Sequence, residues 1–430
     1  MLRRISHVLV FKILGAGLTF FVQVLLARLL GVADYGVVTF LLTLLGFATL
    51  LAKFGFDNTC MRLVSEYRAA QNWPLMIGLM IVAASTVAAF GLLIAVGIGY
   101  LGTSTTLFPE AYRSYTPLLL GLLPLLPLQN VAASMVRGLG AQAAAEVSET
   151  AFRQMMLLAC LVLLVLWRGG ASVEDVIGVY LFATVASVGL AVLMMYWHRP
   201  PEFQMVAPRL RLPEWFSTTS ALLLTGGLYL LMSQVDILML GWLTRPEDVA
   251  VYSVASRITG LLSMGLAAAM IVVAPKIAEL HGRSASRQEI QGQLDRTARF
   301  ILIYIVISSV ALVILGQPIL YFFGEGFVAA YVPMVILIMS RVAEATAGPV
   351  GQLLAMMGKH WLVGRVLVLP AVTNIVLNLV LIPRMGVNGA ALATLISTIL
   401  WNGILVYFAW SRFGLDPTLR AGLRARTDFS

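Results

Sequence analysis

The sequence predicts an all-α, polytopic membrane protein, and two observations carry that prediction. Mostly apolar residues fill twelve blocks of about 18 to 28, near the roughly 20 helical residues that cross a 30 Å hydrocarbon core. Lys and Arg gather in every second gap between those blocks. Backbone groups inside a bilayer must bond within their own segment, which selects helices. The composition agrees: 60% hydrophobic, 11% charged and a mean hydropathy of +0.92 exclude a soluble domain of ordinary make-up.

Taken in order, spans are expected over 8–31, 36–58, 75–100, 116–137, 150–167, 175–197, 216–243, 249–273, 300–323, 328–357, 362–382 and 387–410. Residues 1–27 have the basic lead and apolar body of a signal peptide. The apolar tract runs on too far, without a clear small-residue cleavage site, so it reads as a retained first span. Orientation follows from the cations. With the amino terminus in the cytoplasm, the inside sections hold 21 Lys and Arg, whereas the outside loops hold only Arg113, Arg168, Arg245 and Arg384. That bias predicts both termini cytoplasmic and an even number of spans. It also accounts, with anionic inner-leaflet lipids, for the +9 net charge, so no nucleic-acid partner is expected.

Residues 198–215 contain Pro200, Pro201, Pro208 and Pro213 and therefore cannot form one continuous helix. They read as a cytoplasmic connector between an N-terminal six-helix lobe (1–197) and a C-terminal one (216–410), with a basic cytoplasmic tail at 411–430. The halves echo each other. Gly17 to Gly31, followed by Tyr35, matches Gly227 to Gly241, followed by Tyr252, and a small or basic loop follows the fourth span of each half. These landmarks predict parallel repeats of the kind used for alternating access. The stretch 276–299 is expected to lie as a charged amphipathic segment on the inner leaflet.

Four segments carry a family resemblance: KILGAGLTFFVQVLLARLLGVADYGVVTF (12–40), GFDNTCMRLVSEYRA (55–69), VDILMLGWLTRPEDVAVYSVASRI (235–258) and NIVLNLVLIPRMGVNGAALATLIS (374–397). With them the chain resembles, over nearly its whole length, the polysaccharide flippase family of the multidrug/oligosaccharidyl-lipid/polysaccharide exporter superfamily. The resemblance implies a bacterial inner-membrane transporter of about twelve helices. It would move undecaprenyl-pyrophosphate-linked repeat units from the cytoplasmic to the periplasmic leaflet for surface polysaccharide, beside glycosyltransferases and a polymerase.

Such a substrate needs a wet cavity with cations, because bare charge is costly in the membrane. Arg257, about eight residues into its span, and Arg341, about midway along its own, lie too deep for easy snorkelling and read as cavity cations; structural pairing is the other reading. Arg28 and Lys53 are nearer span ends, where they either contact substrate or reach head groups. Gln23, Tyr229, Asn374 and Asn378 are candidate polar lining, against a role in helix packing. Asp236 and Glu344 are candidate ion-coupling carboxylates. Asp236 has Arg257 as an alternative salt-bridge partner, and Glu344 stands three residues from Arg341, where the two can neutralise each other. Gly15, Thr19, Gly260 and Gly348 read as helix-packing positions.

No metal-ligand set is formed by His7, His198, His281 and His360, and Cys60 and Cys160 have no cluster spacing, so neither metal nor cofactor is expected. No phosphate-cradling glycine motif or paired catalytic carboxylates appear, and the longest outside loop (101–115) is too short for a catalytic domain, which argues against an enzyme. The rival reading is a multidrug or cation antiporter of the same fold. Such a transporter relies on buried acids, and here four deep bases (Arg28, Lys53, Arg257, Arg341) face three acids (Asp57, Asp236, Glu344).

Overall fold

The computed structural model describes residues 2–104, 108–283 and 286–418; the side chains of 2–13 and of scattered later positions, Tyr229 among them, lie outside the described set. Among the described residues every regular element is helical. In chain order these are α1 (Leu2–Lys53), α2 (Phe56–Ala69), α3 (Trp73–Ser104), α4 (Glu110–Arg113), α5 (Leu119–Gly138), α6 (Gln142–Glu146), α7 (Phe152–Arg168), α8 (Val173–Trp197), α9 (Leu212–Leu243), α10 (Pro246–Gly282), α11 (Arg287–Phe323), α12 (Tyr331–Thr346), α13 (Val350–Met356), α14 (His360–Met385) and α15 (Val387–Phe413). A single π turn, Val147–Ala151, joins α6 to α7. Nine helical segments among the described residues are long and apolar enough to cross a membrane.

The mostly apolar 40-residue segment Leu14–Lys53 of α1 would run about 60 Å as one helix, twice a bilayer core. The helix breaks direction at Gly31, whose φ of 73° and ψ of −176° suit glycine alone. That is where the sequence places the end of its first span. Lipid-facing surfaces are as apolar as the cores: Leu166, Trp167 and Ile314 are exposed on the outside of their helices, which water would not tolerate and acyl chains do.

Contacts divide the chain into two compact units, Met1–Leu230 and Leu231–Ser430. In the first, α2 is an amphipathic helix. Phe56, Cys60, Leu63, Val64 and Tyr67 form its buried stripe, packed with Trp73, Met76, Val131, Met135 and Trp215, while Arg62 and Glu66 pair on the outer face. Trp215 is fully buried and donates its Nε1 hydrogen to the Tyr67 hydroxyl at 3.0 Å.

Several expected boundaries move, each for a local reason. The second span does not run to residue 58. Phe54 (φ 50°) and Gly55 (φ 82°) turn the backbone after Lys53, and the polar α2 starts afresh. The fifth extends back to Gln142, because Arg137 pairs with Glu146 and Glu149 and holds that polar turn against α5. The connector ends at Arg211, and its residues lie along α3: Arg209 donates its amide to the Pro74 carbonyl at 2.9 Å. Residues 216–230, read from sequence as part of the C-terminal lobe, pack with the first unit. A Cβ on Gly55 would sit 2.4 Å from the Thr219 carbonyl.

In the second unit the stretch 276–299 is divided between two helices on either side of residues 284–285. It forms the ends of α10 and α11, with Ser286 capping α11 through the Glu289 amide, and Leu280, Ile290 and Leu294 pack on Leu353 and Leu415. The expected span 328–357 breaks at Gly348, φ 69°, with Pro349 behind it, into α12 and α13. Ser340 of α12 bonds Thr398 of α15 at 3.0 Å in the buried seam between them.

Candidate functional site

The second unit is built around one buried carboxylate. Asp236, on the second half of α9, is 3% exposed. Its Oδ2 accepts from the Tyr252 hydroxyl of α10 at 2.5 Å and from Thr394 of α15, and its Oδ1 accepts from Asn378 Nδ2 of α14 at 2.6 Å. Asn378 Nδ2 also reaches Asn374 Oδ1 at 3.1 Å, one helical turn back. Three helices thus converge on Asp236 of α9 through neutral donors. No Lys or Arg lies within salt-bridge distance of it among the described residues, so Arg257 is not its partner. Two polar atoms of the cluster, Asn374 Nδ2 and Asn378 Oδ1, are buried without a hydrogen-bond partner. A buried charge needs pairing or full solvation by dipoles, and this one has dipoles only.

The four deep cations stand differently. Arg257, eleven residues along α10 from Pro246, is half-buried, forms no ion pair among the described residues and has an unbonded, buried Nε. Arg341 is half-buried and bonds Glu344 at 2.9 Å, one turn on along α12. Lys53 bonds Asp57 at 2.6 Å across the turn between α1 and α2. Arg28 is exposed, three residues before the Gly31 bend. Gln23 is buried and accepts from the Tyr35 hydroxyl at 3.0 Å. The Tyr229 side chain lies outside the described residues.

Sequence reasoning therefore brought Asp236, Asn374 and Asn378 forward as separate residues, and the fold joins them. It missed Thr394 as a fourth-helix donor and used Tyr252 only as a repeat landmark. It also missed a polar knot in the first unit. Gln129 of α5 is 1% exposed. Its Nε2 donates to Ser187 Oγ of α8 at 2.6 Å and to the Glu149 carbonyl at 3.1 Å, and its Oε1 accepts from Arg153 Nη1 at 3.2 Å. Arg153, which falls within the expected fifth span, is half-buried on α7 and tied to α5. The knot sits at the π turn Val147–Ala151, whose shifted register frees the Ser148 and Glu149 carbonyls to accept from side chains. The signal was present as Gln129 and Asn130, adjacent amides in an otherwise apolar block.

The small-residue positions separate as well. A Cβ on Gly15 would come within 2.8 Å of Thr150 Cγ2, and Thr19 returns its hydroxyl to the Gly15 carbonyl at 2.8 Å, a packing arrangement; at Gly260 nothing lies within 4 Å.

Comparison with known proteins places this geometry. The profile of the family described as "Polysaccharide biosynthesis protein" matches residues 1–281. A curated protein of the archaeon Haloferax volcanii, named "Probable low-salt glycan biosynthesis flippase Agl15", is 22% identical over 399 residues, covering 90% of this chain and 78% of its own length. Among solved structures, the inward-facing conformation of a multidrug resistance MATE family transporter of the MOP superfamily matches with a TM-score of 0.73 at 14% identity, covering 95% of this chain and 96% of that one. Lipid II flippase MurJ in an inward closed conformation matches at 0.74 and 13% identity, covering 97% and 91%. At such identities the two structures establish a shared fold. With nearly two thirds of its length under the family profile, the chain belongs to the polysaccharide biosynthesis protein family, as a multi-pass, all-helical membrane protein.

Proposed function

We propose that this protein flips lipid-linked oligosaccharide repeat units, carried on undecaprenyl pyrophosphate, from the cytoplasmic to the outer leaflet of a bacterial inner membrane for surface polysaccharide assembly. Twelve crossings in two six-helix lobes, with both termini cytoplasmic, open a cationic chamber to each side in turn. Glycosyltransferases supply the substrate and a polymerase consumes it. Family membership and the flippase name of a relative aligned over 90% of the chain support the reading.

The observation that carries it is Arg257. A half-buried guanidinium on a membrane helix, with no acid to neutralise it among the described residues, is costly unless an anion meets it, and a pyrophosphate head group is such an anion. In this reading Arg341, Arg28 and Lys53 complete the cationic path. The Arg341–Glu344 and Lys53–Asp57 pairs exchange their acids for substrate phosphate as the chamber opens. Gln23, Tyr229, Asn374 and Asn378 offer polar contacts to sugar. Asp236, solvated by neutral donors alone, takes and releases a proton or sodium ion to couple transport, with Glu344 the secondary candidate.

The test is flipping of a fluorescent lipid-linked oligosaccharide in proteoliposomes. The native chain is expected to transfer the lipid, Arg257→Ala to lose most of that rate and Arg257→Lys to keep part of it. Equal rates in all three would remove Arg257 from the path. No transfer by the native chain, together with drug sensitivity but intact surface polysaccharide in a deletion strain, would replace the reading with the antiporter that the shared fold also accommodates.

A further inference from the structure

Between the start of α14 and the last turn of α15, within the second unit, lies a cavity of about 400 Å³ lined by Lys359, Leu362, Phe408, Arg412 and Phe413. Two cations sit beside three apolar side chains. At some other helix ends acids take up the charge, as where Arg62 bonds Glu66, Arg211 bonds Glu214, Lys276 bonds Glu279 and Arg283 bonds Glu289, whereas Arg209, Arg245, Arg296, Arg299 and Arg384 form no ion pair among the described residues. Lys359 and Arg412 form no ion pair among the described residues. The acid nearest in sequence, Asp416, turns away, its Oδ1 accepting from the Thr418 amide at 3.0 Å and the Thr418 hydroxyl at 2.6 Å.

Two further features point to an anion with a fatty body. Lys359 is the N-cap of α14, and no side chain caps that helix end, so its partial positive charge adds to the two cations. The walls of the cavity are continuous with an apolar cluster: Leu362, Phe408 and Phe413 pack on Val363, Leu405 and Ala409. On the same helix Tyr407 and Trp410 are 63% and 64% exposed, as aromatic side chains at a membrane interface are.

We infer that this recess binds the phosphate head group of an anionic phospholipid of the cytoplasmic leaflet. Lys359 and Arg412 meet the phosphate oxygens, and Leu362, Phe408 and Phe413 meet the glycerol and the first acyl carbons. Basic pockets between membrane helices on the cytoplasmic side hold such head groups through this combination of charge and apolar wall. The inference is independent of what the protein transports.

Native mass spectrometry of the full chain in mild detergent tests it, with phosphatidylglycerol, phosphatidylcholine and inorganic phosphate as probes. Phosphatidylglycerol is expected to remain bound where phosphatidylcholine does not. The double variant Lys359→Gln/Arg412→Gln should bind it about tenfold or more weakly, since two charge contacts are lost. The charge-preserving pair Lys359→Arg/Arg412→Lys should bind it as the native chain does. Both side chains are exposed, so the variants fold, which an unchanged Tm verifies. Equal phosphatidylglycerol binding by native chain and double variant would overturn the proposal. Loss in the charge-preserving pair, or displacement of the lipid by millimolar inorganic phosphate, would do the same, the latter by reassigning the recess to a soluble anion.

Discussion

Tyr252 donates its hydroxyl hydrogen to Oδ2 of Asp236 at 2.5 Å, and the first unit holds a neutral counterpart in which Tyr35 donates to Oε1 of Gln23 at 3.0 Å. In each half a tyrosine that follows the first glycine-bounded span clamps a polar side chain within that span. Of the two clamps only the second holds a titratable acceptor. The clamps differ in register as well as in charge, Gln23 standing six residues after Gly17 and Asp236 nine after Gly227.

The first prediction separates the charge of Asp236 from its shape. Asp236→Asn keeps an acceptor for Tyr252 and Thr394 and removes the charge. The variant is expected to insert and fold, while losing any dependence of flipping on an imposed proton or sodium gradient, measured in proteoliposomes. Asp236→Leu removes the acceptor too, leaving the Tyr252 and Thr394 hydroxyls, 3.2 Å apart, to share one hydrogen bond and Asn378 Nδ2 with Asn374 alone. At about 1–3 kcal/mol for each unsatisfied buried group, it should lower the Tm of the purified protein markedly. A gradient response that survives in Asp236→Asn would move coupling elsewhere.

The Gln129 knot predicts a structural effect. Gln129→Leu leaves the Arg153 guanidinium and the Glu149 carbonyl without their Gln129 bonds, while Ser187 keeps the Ser148 carbonyl, so it should destabilise the first unit by about 1–3 kcal/mol. Gln129→Glu gains an ion pair with the Arg153 guanidinium but turns an anionic oxygen toward the Ser148 and Glu149 carbonyls that Gln129 Nε2 now donates to, so it should also lower stability. Thermal unfolding of both variants beside the native chain in one detergent checks this; melting equal to that of the native chain would show that the knot contributes nothing.

These two sites also show what the sequence discloses and what it hides. Apolar blocks and the basic bias made the helices and most of their ends legible, since both follow from transfer energies that act residue by residue. Turns inside a polar-apolar run were less legible. Nothing in composition marks Phe54 and Gly55 as the corner between α1 and α2, because a positive φ is a backbone property that a hydropathy window does not sense, whereas the break in the tenth block carried a turn signal, Gly348-Pro349, that the apolar pattern overrode. Asp236 was conspicuous as an acid in an apolar block. Thr394 was not, because one hydroxyl among ALATLIS looks like any packing residue until 158 positions of chain fold to bring it to Asp236. The same holds for Arg153, which the sequence places at the start of the fifth span but whose bond to Gln129 of α5 it does not reveal.

A chemical probe tests the packing of α2. Cys60 is fully buried among Phe56, Val64 and Trp215, and burial, with the charge of Asp57 second, pushes its thiol well above the usual range. Thiolate is the reactive species, so this cysteine should resist maleimide in the folded protein. In a Cys160→Ser background, labelling is expected only after denaturation, read by mass shift. Rapid labelling of the native protein would mean that α2 does not close over Cys60 in the membrane.

The last prediction contrasts two glycines that look alike in sequence. Gly348 has φ 69°, and a Cβ there would lie 1.9 Å from the Pro417 carbonyl oxygen, a backbone atom that cannot swing aside. Gly348→Ala therefore incurs the left-handed penalty of about 1–2 kcal/mol and forces apart the α12–α13 corner and the segment after α15. Its Tm should fall by several degrees. Gly260 sits inside α10 with ordinary helical backbone and open space where a methyl group would go, so Gly260→Ala should gain up to about 1 kcal/mol of helix propensity and melt no lower than the native chain. The pair fixes the interpretation, because a small-residue stripe that served only close helix packing would make both substitutions harmful. If Gly348→Ala were as stable as Gly260→Ala, the corner at Gly348 would not exist and the tenth block would run as one helix past Arg341 and Glu344.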